Sequence, residues 1–593
     1  MRRATLAVVA LVIAGAAFTQ PARLPATKKL IEYGWDVPTP AFVRDNIVRM
    51  EARPLDGLIM RLAGKGRGNV FSGGKWDVAD YQADFAAMRA IKWGKFQHNF
   101  LMMYSASQQD WFSDEDWAAV LANVDLMARA AKAGGCYLAF DAEPYGTNPW
   151  SYSGQKHAAE KSYAAYAAQA RRRGQQFIDV IERHLPDNVL LTFFTFSIFA
   201  GQMDLQDPAK REEALKQHGY GLYLPFLLGM LDGLGPRMTI TDGNEPSYYY
   251  DNSEKYYAAF HMMRQRALGL IAPGLVATFQ THTQASQALY MDYVFAKVPW
   301  PNIPARYMTP EDQAQWFEHN VYWALKTTDE YVWLYSEKMN WWTDKDIPPG
   351  MEQAIVKARD AIAGNRGLGF DLRERMKQLE EKRQAEIDAK LVRRTAEVKV
   401  LTGAPVPAID GKLDDAAWQR ATALEPFIGY FGTKPEELKA KTQATVTYDA
   451  AALYLAVRAA EPQVAKMQIV GSNHDDAVWN GDTVDVFLTQ EASGNPYYHF
   501  ILSPKNVQWD AAFAADNDMS FDPKWQSATQ IGAQEWTAEI AIPWAELKIA
   551  PRPGLKLRAN ICRQRRPDSE QTCWSQTVSG FMESDHFGTW VLR

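Results

Sequence analysis

Two acids follow a short apolar run in the stretch CYLAFDAEPYG, residues 136–146. Asp141 and Glu143 are separated by one residue, and Pro144 comes directly after them. Because side chains alternate along a strand, both carboxyl groups are expected to point the same way from the end of a buried strand. Two carboxyl groups, one protonated and one ionised, can carry out general acid/base catalysis. The alternative is that both acids are solvated loop residues or helix caps.

Acidic, amide and aromatic residues also stand at the ends of later apolar runs. The run TITDGNEP ends in an acid, an amide and a second acid, and in YVWLYSEKMNWW alternate residues are aromatic or acidic. The carboxyl ends of parallel barrel strands meet at one face, where such groups can form a site. The candidate catalytic residues are Glu143, Glu337, Glu245 and Asp141, and the candidate substrate-binding residues are Trp333, Tyr335, Tyr145, His98, His282, Asp242 and Asn244.

Each of these residues also has an ordinary structural interpretation. Asp242 and Asn244 are residue types that shape turns, and Glu245 could cap the following helix. Glu337 could form an ion pair with Lys338 or with an arginine of a neighbouring loop. The two histidines could be hydrogen-bonded residues of the core or rim. The convergence of several strand ends is therefore more informative than any single residue.

The composition excludes some partners and favours others. Acidic residues outnumber basic ones by 70 to 64, and no basic run is flanked by aromatics, so nucleic acid is not an expected partner. The chain has 20 Trp and 26 Tyr, which suit ligands with apolar faces and hydroxyl edges, as sugars have. No HxH, HExxH or CxxC spacing is present, so no metal centre and no cofactor is predicted.

Short apolar runs alternate with amphipathic stretches from Lys29 to Ala363, which indicates strand–helix units around a parallel sheet. The predicted strands are Lys29–Trp35, Asp56–Leu62, Lys95–Tyr104, Cys136–Glu143, Val189–Phe199, Arg237–Asp242, Leu275–Thr281 and Tyr331–Glu337. Eight such units predict an α/β fold, the (β/α)8 TIM barrel. A doubly wound open sheet is the main alternative, but no glycine-rich phosphate loop follows an early strand.

The rest of the chain predicts three further segments. Arg2 and Arg3 precede an apolar run of about a dozen residues and then small residues, which is typical of a secretory signal and predicts export to the periplasm or outside the cell. A charged, glycine-free stretch predicts a helical linker, and short alternating strands after it predict an all-β antiparallel sandwich. The expected boundaries are 1–26 for the signal peptide, 27–368 for the barrel, 369–396 for the linker and 397–593 for the sandwich. No membrane span is expected in the mature chain.

Three cysteines are too few for a disulfide-built scaffold. Cys562 and Cys573 flank the polar stretch RQRRPDSEQT, so a hairpin would place them opposite each other and a disulfide is predicted. Cys136 has no adjoining positive group and is expected to be a buried free thiol.

Four motifs of the C-terminal third occur in a characteristic order: PAIDGKLDDAAW (407–418), VWNGDTVDVFL (478–488), EIAIPWAEL (539–547) and the terminal FGTWVL. Together they resemble carbohydrate-binding module family 9. The resemblance implies a sugar held between two tryptophans at the sandwich rim. Trp479 matches one stacking position, Trp574 matches the second, and Asp485 matches an acidic hydroxyl partner that is usually Glu. The resemblance also implies that structural calcium is possible, although sugar binding is not universal among such attached domains.

The barrel resembles known enzymes over shorter segments. YLAFDAEPYG is similar to the fourth-strand acid motif of family 18 glycoside hydrolases, in which the glutamate protonates the leaving oxygen. That similarity implies the same role for Glu143. The triplet Asn244–Pro246 is similar to the acid/base motif of the large retaining-glycosidase clan, although it follows the sixth predicted strand and not the fourth. No family is assigned to the barrel.

The sequence therefore predicts an exported glycoside hydrolase with an attached carbohydrate-binding domain, acting on a poly- or oligosaccharide. Glu143 is the expected general acid/base, and Asp141 adjusts its pKa or orients the substrate. Glu337 is the first choice for the second carboxylate and Glu245 the next. The alternatives are a non-catalytic glycan-binding protein and a polysaccharide lyase, in which Arg61 or Lys338 would neutralise a substrate carboxylate.

Overall fold

The computed structural model describes residues 28–107, 109–300, 303–490, 497–513 and 521–593. The predicted signal peptide, residues 1–26, lies outside the described residues. The chain forms two compact units: one runs up to Val298 and continues from Met308 to Met376, and the other comprises Pro299–Tyr307 and Lys377–Arg593. Each unit is described separately below.

The first unit contains a nearly closed barrel of parallel strands surrounded by helices. Its strands are β1 (Lys29–Gly34), β2 (Gly57–Met60), β3 (Phe100–Tyr104), β4 (Tyr137–Asp141), β5 (Val189–Thr192), β6 (Thr239–Asp242), β7 (Thr283–Ala285), β8 (Gln287–Tyr290) and β9 (Tyr331–Ser336). They pair in the order β7-β6-β5-β4-β3-β2-β1-β9-β8. Nearly all strand residues are buried, as expected for parallel strands covered by helices.

The barrel closes through a single stretch of chain, since only Ser286 separates β7 from β8. β7 pairs with β6, and β8 pairs with β9. The backbone N–H of Ser286 donates to Asp242 O at 2.8 Å, and its hydroxyl donates to Tyr331 O at 2.6 Å. The two short strands thus occupy the seventh position of an eight-position ring.

This closure corrects the prediction of a seventh strand at Leu275–Thr281. Residues Val276–His282 form a helix, and the strand begins only at Thr283. The β-branched residues of LVATFQT favoured a strand, but a 3₁₀ turn at Pro273–Leu275 leads directly into the helix. The true strand, TQASQALY, is polar and short and gives little hydrophobic signal.

The helices of this unit and of the predicted linker are α1 (Pro40–Met50), α2 (Gln82–Ala90), α3 (Asp114–Gly134), α4 (Tyr163–His184), α5 (Pro208–Gln217), α6 (Tyr223–Asp232), α7 (Ser253–Arg264), α8 (Val276–His282), α9 (Met291–Val294), α10 (Pro310–Lys326), α11 (Met351–Ala363) and α12 (Arg373–Lys390). Thr309 and Asp312 form a capping box at the start of α10. No helix among the described residues has both the length and the apolar character needed to cross a membrane.

The second unit contains α13 (Ala416–Arg420) and a two-sheet sandwich. Its strands are β10 (Thr395–Val398), β11 (Thr422–Leu424), β12 (Ile428–Gly429), β13 (Thr442–Tyr448), β14 (Ala452–Ala460), β15 (Thr483–Gln490), β16 (Tyr497–Leu502), β17 (Gln508–Phe513), β18 (Gln526–Ile531), β19 (Glu535–Pro543), β20 (Lys556–Arg565), β21 (Glu570–Cys573) and β22 (Gly588–Leu592). One sheet has the order β10-β22-β20-β15-β16-β17, with β21 attached to β20 and β12 attached to β21, and the other has the order β11-β13-β14-β19-β18. All pairs are antiparallel except β10 with β22.

Alternation along the strands separates the core of the sandwich from its outer face. On β15, Val484 and Val486 contribute to the apolar core of the sandwich. Between them lies Asp485, and Phe487 belongs to a separate cluster on the opposite face of the sheet. This period of two places the odd-numbered residues of β15 outside the core.

Helices α4 and α6 approach each other so closely that glycine is required at the contact. A Cβ atom on Gly229 would lie 1.8 Å from Arg171 O, and one on Gly174 would lie 2.0 Å from Phe226 O. Both obstacles are backbone atoms, which cannot turn aside as the end of a side chain can.

We therefore expect Gly229→Ala to destabilise the barrel by about 1–3 kcal/mol or more, because an added methyl group forces the helices apart. Gly201→Ala is the matched control, since a Cβ there meets nothing within 4 Å. Denaturant unfolding followed by tryptophan fluorescence measures both variants. Equal stability of the two variants would show that the close contact is absent.

Candidate active site

The first carboxyl pair lies at the carboxyl end of β4. Asp141 is buried, its Oδ1 accepts a hydrogen bond from Glu143 N at 2.8 Å, and its Oδ2 accepts one from the Tyr145 hydroxyl at 2.9 Å. The strand ends at Asp141, so this local turn, and not strand alternation, places the partly buried Glu143. The pKa of Asp141 is raised to about 7, chiefly by burial and to a smaller extent by the charge of Glu143, while the two hydrogen bonds lower it.

Glu245 follows the end of β6 and is held by a buried turn. The carboxylate of Asp242 accepts hydrogen bonds from Thr195 N, Ser197 N, Ser197 Oγ and Asn244 N at 2.6–3.2 Å. Asn244 has a left-handed backbone (φ 44°), and its Nδ2 donates to Gln287 Oε1 at 2.8 Å. Glu245 N then donates to Phe193 O at 3.1 Å. The sequence NEP thus begins a 3₁₀ turn (Glu245–Tyr249) at a fixed position on the barrel face.

The carboxyl groups of the two strand ends share one environment. Burial raises the pKa of Glu245 to about 8, and the charges of Glu143 and Asp141 also raise it. Burial is the main cause of the raised pKa of the Tyr220 hydroxyl, and the charges of Glu143, Asp141 and Glu245 raise it further. Only β5 lies between β4 and β6 in the parallel ring, so the acids that follow these two strands lie on the same face of the barrel, at its mouth.

Glu337 lies beyond the end of β9 and is held by a different set of contacts. Its Oε1 accepts hydrogen bonds from the Tyr290 hydroxyl at 2.9 Å and the Tyr335 hydroxyl at 3.4 Å. Its backbone N–H donates to Asp292 Oδ2 at 2.6 Å, and Lys338 Nζ lies 3.7 Å from its Oε2. Ion pairing with Lys338, the ordinary structural interpretation, is therefore present. Burial raises the pKa of the Tyr335 hydroxyl, and the charges of Glu337 and Glu245 raise it further.

Aromatic rings line the space between these acids. Tyr335 stacks on Tyr248 with ring centroids 5.5 Å apart and on Tyr33 at 5.9 Å. Below them Trp333 stacks on Phe193 at 4.1 Å. Burial raises the pKa values of the Tyr33 and Tyr248 hydroxyls, and Asp141 and Glu245 respectively raise them further. The mouth therefore combines protonatable acids with ring faces and phenol groups.

Three residues predicted to bind substrate have supporting positions instead. Trp333 is fully buried, and its Nε1 donates to Gly243 O at 2.9 Å. Asp242 and Asn244 are buried and form the turn described above. The Asp242 carboxylate and Asn244 Nδ2 bond to the protein, as the turn-forming interpretation predicts, whereas Asn244 Oδ1 has no hydrogen-bond partner among the described residues. Tyr335 and the exposed Tyr145 lie beside the acids.

The two histidines are also corrected. His98 precedes β3, and its Nδ1 lies 3.0 Å from the hydroxyl of Tyr331, the first residue of β9. His282 is the last residue of α8, and its Nδ1 lies 2.9 Å from Met238 O, just before β6. Both therefore lie at the amino ends of the strands, opposite the acids. The predicted strands began too early or at the wrong place, so strand alternation assigned these residues to the wrong end.

Sequence reasoning missed several residues at the mouth. Tyr33 could have been found, since it lies near the end of a correctly predicted strand. Tyr290 and Asp292 could not be assigned, because the strand before them was misplaced. Phe193 and Tyr248 carry no chemical signal of their own and are recognised only by their ring contacts.

Of the three residues predicted to bind sugar, Trp479 and Asp485 lie outside the core of the sandwich and Trp574 does not. Trp479 lies in a 3₁₀ turn (Val478–Asn480), is 43% exposed and meets Trp509 edge-on at 5.3 Å. Asp485 is buried, and its oxygens bond to Thr483 Oγ1 at 2.8 Å and His499 Nε2 at 2.9 Å. Its side chain is therefore already satisfied within the protein.

Trp574 is not a rim residue. It is 3% exposed and belongs to the core between the two sheets. The residue before it, Cys573, lies directly opposite Cys562 on β20, as predicted. However, all three cysteines are free thiols, and Cys573 Sγ contacts Thr577 Oγ1 at 3.4 Å. The predicted disulfide is absent, whereas Cys136 is the predicted buried thiol.

Residues 409–593 match the family described as Carbohydrate family 9 binding domain-like. The C-terminal domain is a family 9 carbohydrate-binding domain. The family 9 domain of Caldicellulosiruptor kristjanssonii in complex with cellotriose is similar at 16% identity and a TM-score of 0.25, over 34% of this chain and 94% of that chain. No curated protein matches the chain.

Two glycoside hydrolases of known structure are similar over longer stretches. A mutant O-GlcNAc hydrolase of Thermobaculum terrenum shares 8% identity over 61% of this chain and 63% of that one, with a TM-score of 0.30. A double mutant of the Cellulomonas fimi endo-beta-1,4-mannanase shares 8% identity over 93% and 94%, with a TM-score of 0.29. Likenesses this weak carry no argument about activity, which the site itself must supply.

The raised pKa of Glu245 makes folding stability depend on pH. The folded protein holds this proton up to about pH 8, whereas the unfolded chain releases it near its ordinary pKa of 4.5. Stability from this group is therefore lost as the pH rises between these values. We expect Glu245→Gln to raise the melting temperature relative to wild type increasingly from pH 5 to pH 8, measured by differential scanning fluorimetry. Parallel pH curves for the two proteins would contradict a buried, proton-holding Glu245.

Proposed function

We propose that this protein is an exported glycoside hydrolase that cleaves an O-glycosidic bond of a poly- or oligosaccharide. The observation that supports the proposal best is the shared environment of Asp141, Glu143 and Glu245. Two of these acids have pKa values raised to about 7 and about 8, in a mouth lined by aromatic rings. Glycosidases use such a pair, with one carboxyl group as acid and one as base or nucleophile.

The environment of each acid suggests its role. Glu245, with a pKa of about 8, carries a proton at neutral pH and is suited to protonate the leaving oxygen. Glu143 is then the second carboxylate, which attacks the sugar or activates water. This revises the sequence-based roles, in which Glu143 was the acid/base and Glu245 the second alternative for its partner. Asp141 acts by fixing the backbone of Glu143 and the hydroxyl of Tyr145.

Glu337 has a positioning or binding role in this proposal. Its carboxylate is already hydrogen-bonded to Tyr290 and Tyr335, and Lys338 is near it. A carboxylate fixed in this way can accept hydrogen bonds from sugar hydroxyls beside the bond that is cut. The exposed ring of Tyr145, whose hydroxyl bonds to Asp141, can pack against the apolar face of the same sugar.

We expect Glu143→Gln and Glu245→Gln each to lower kcat/KM on a natural polysaccharide by ~10²–10⁴-fold, the usual contribution of a catalytic acid or base. An aryl glycoside whose leaving group needs no proton separates the two roles. Glu245→Gln should keep most of its activity on that substrate, whereas Glu143→Gln should lose it. Glu212→Gln, an exposed residue of α5, is the matched control.

The pH profile and the product complete this test. Wild-type kcat/KM should fall above about pH 8, as Glu245 loses its proton. Proton NMR of the first product shows whether the anomeric configuration is kept or inverted, which reports the separation of the two carboxyl groups. Full activity of both variants on every substrate would exclude this machinery. Products that absorb in the ultraviolet would instead indicate a lyase.

For the sandwich, we propose that Trp479 binds a sugar of the same polymer. It is the exposed tryptophan of the face that carries Trp509 and Phe513, and the family match supports a carbohydrate ligand. Binding near the substrate raises its local concentration without changing the chemical step. The domain would therefore matter more for polymers than for small substrates.

We expect Trp479→Ala to weaken binding to a soluble polysaccharide at least tenfold, because the ring face on which the sugar packs is lost. Trp479→Phe should keep much of the binding, since it retains an aromatic ring. Affinity electrophoresis on a panel of plant, algal and bacterial polysaccharides measures this. Trp574→Ala should instead lower the melting temperature, since it opens a cavity in the core. If Trp479→Ala migrates like the wild type in gels containing each polysaccharide that retards the wild-type protein, the proposal is contradicted.

A further inference from the structure

A second cluster of polar groups lies on the sandwich, in and beside the loop that leads into the turn with Trp479. It consists of His474 and Asp475, in the loop before β15, and Asp510 on β17. One ligand atom of each residue lies within 4.8 Å of the others. His474 Nε2 is 3.2 Å from Asp510 Oδ2 and 3.7 Å from Asp475 Oδ1.

These separations are those of ligands around a small tetrahedral ion. Nitrogen and oxygen ligands lie about 2.0–2.2 Å from zinc, which places neighbouring ligands of a tetrahedron about 3.3–3.6 Å apart. The two measured separations from His474 Nε2 fall on either side of that range. Only small side-chain adjustments would bring the three atoms into contact with one ion.

Asp510 provides an independent sign of a missing ligand. Its side chain is completely buried, yet Oδ1 has no hydrogen-bond partner among the described residues. Oδ2 accepts a hydrogen bond from Trp525 Nε1 at 2.8 Å, which fixes the plane of the carboxylate. A buried carboxylate oxygen without a partner is costly, and a cation bound by both oxygens of this carboxylate would satisfy Oδ1 while keeping the position that Oδ2 has beside His474. The tryptophan would orient this ligand as the outer contacts of metal sites do.

The loop is already held in position by the protein. The Asp476 carboxylate accepts hydrogen bonds from Ser472 N at 2.7 Å and Asn473 N at 2.9 Å. Asp475 N donates to Gln508 O at 3.0 Å, which ties the loop to the first residue of β17. The partly exposed His474 and Asp475 are thus placed over the buried Asp510 by other contacts.

We propose that His474, Asp475 and Asp510 bind one divalent transition-metal ion of the zinc type, with water completing the coordination. An imidazole nitrogen and two carboxylates suit such ions, whereas calcium takes six to eight oxygen ligands. The site therefore differs from the structural calcium that the family resemblance implies. The site has no HxH or HExxH motif, because its third ligand comes from a separate strand.

The ion would stiffen the part of the sandwich that carries Trp479. Trp509 precedes Asp510 on β17 and packs edge-on against Trp479. Asp476 O accepts a hydrogen bond from Val478 N at 2.7 Å, so the loop leads directly into the turn with Trp479. Binding at the three ligands would therefore link this turn to β17.

The test uses the full chain after treatment with EDTA and dialysis. Isothermal titration with ZnCl2 should show one ion per chain, and zinc should raise the melting temperature, since it binds the folded state. Co²⁺ should give the visible absorption of a four- or five-coordinate site. His474→Ala and Asp475→Asn should each weaken zinc binding at least tenfold, whereas His261→Ala, an exposed histidine of α7, should not.

The choice of variants keeps the result interpretable. Asp510 is buried, so its replacement could unfold the domain, and the two exposed ligands are changed instead. Absence of zinc binding at millimolar concentration would overturn the proposal and leave His474 as an ion-pair partner of Asp510. Equal zinc affinity in wild type and His474→Ala would also overturn it. So would calcium binding that is tighter than zinc binding and is lost in His474→Ala.

Discussion

Mutual repulsion among partly buried carboxyl groups is the constraint that the barrel must overcome. Burial is the largest cause of the raised pKa values of Asp141 and Glu245; the charge of Glu143 raises both, and that of Asp141 also raises the pKa of Glu245. Such groups would separate if their backbones were free. They stay together because β4 and β6 belong to one ring of parallel strands, and because the stretch Thr283–Tyr290 joins β6 to β9 and closes that ring.

Beneath the acids lies a layer of buried polar groups that fixes their backbones. Asp242 bonds to the turn before Glu245, and Asp292 accepts the N–H groups of Glu337 and Lys338. These aspartates use their charge to satisfy backbone donors, which buried strand ends would otherwise leave unpaired. The mouth is thus organised in two levels, with the partly exposed Glu143 and Glu245 above and aspartates bonded to the protein below. This distinction depends on hydrogen-bond partners, and residue type alone does not reveal it.

The sequence predicted those parts of the barrel in which hydrophobic pattern and position agree. The strands at Lys29, Tyr137 and Tyr331 have apolar runs, and they were predicted within two residues of their observed bounds. The seventh position failed because its strand is polar, broken at one residue and preceded by β-branched residues that form a helix. Its displacement carried a histidine to the wrong end of the barrel and hid the contacts of Glu337.

In the sandwich, one residue of register decides what a motif can do. Cys573 faces outward opposite Cys562, so the next residue, Trp574, turns into the core and cannot flank a ligand. Asp485 lies on the outer face, but His499 of the neighbouring strand pairs with it and covers it. Trp479 escapes both constraints because it lies in a turn outside any strand, where neither alternation nor a cross-strand neighbour buries it. A motif can place these three residues in the chain, but only the pairing of the strands determines which of them a sugar can reach.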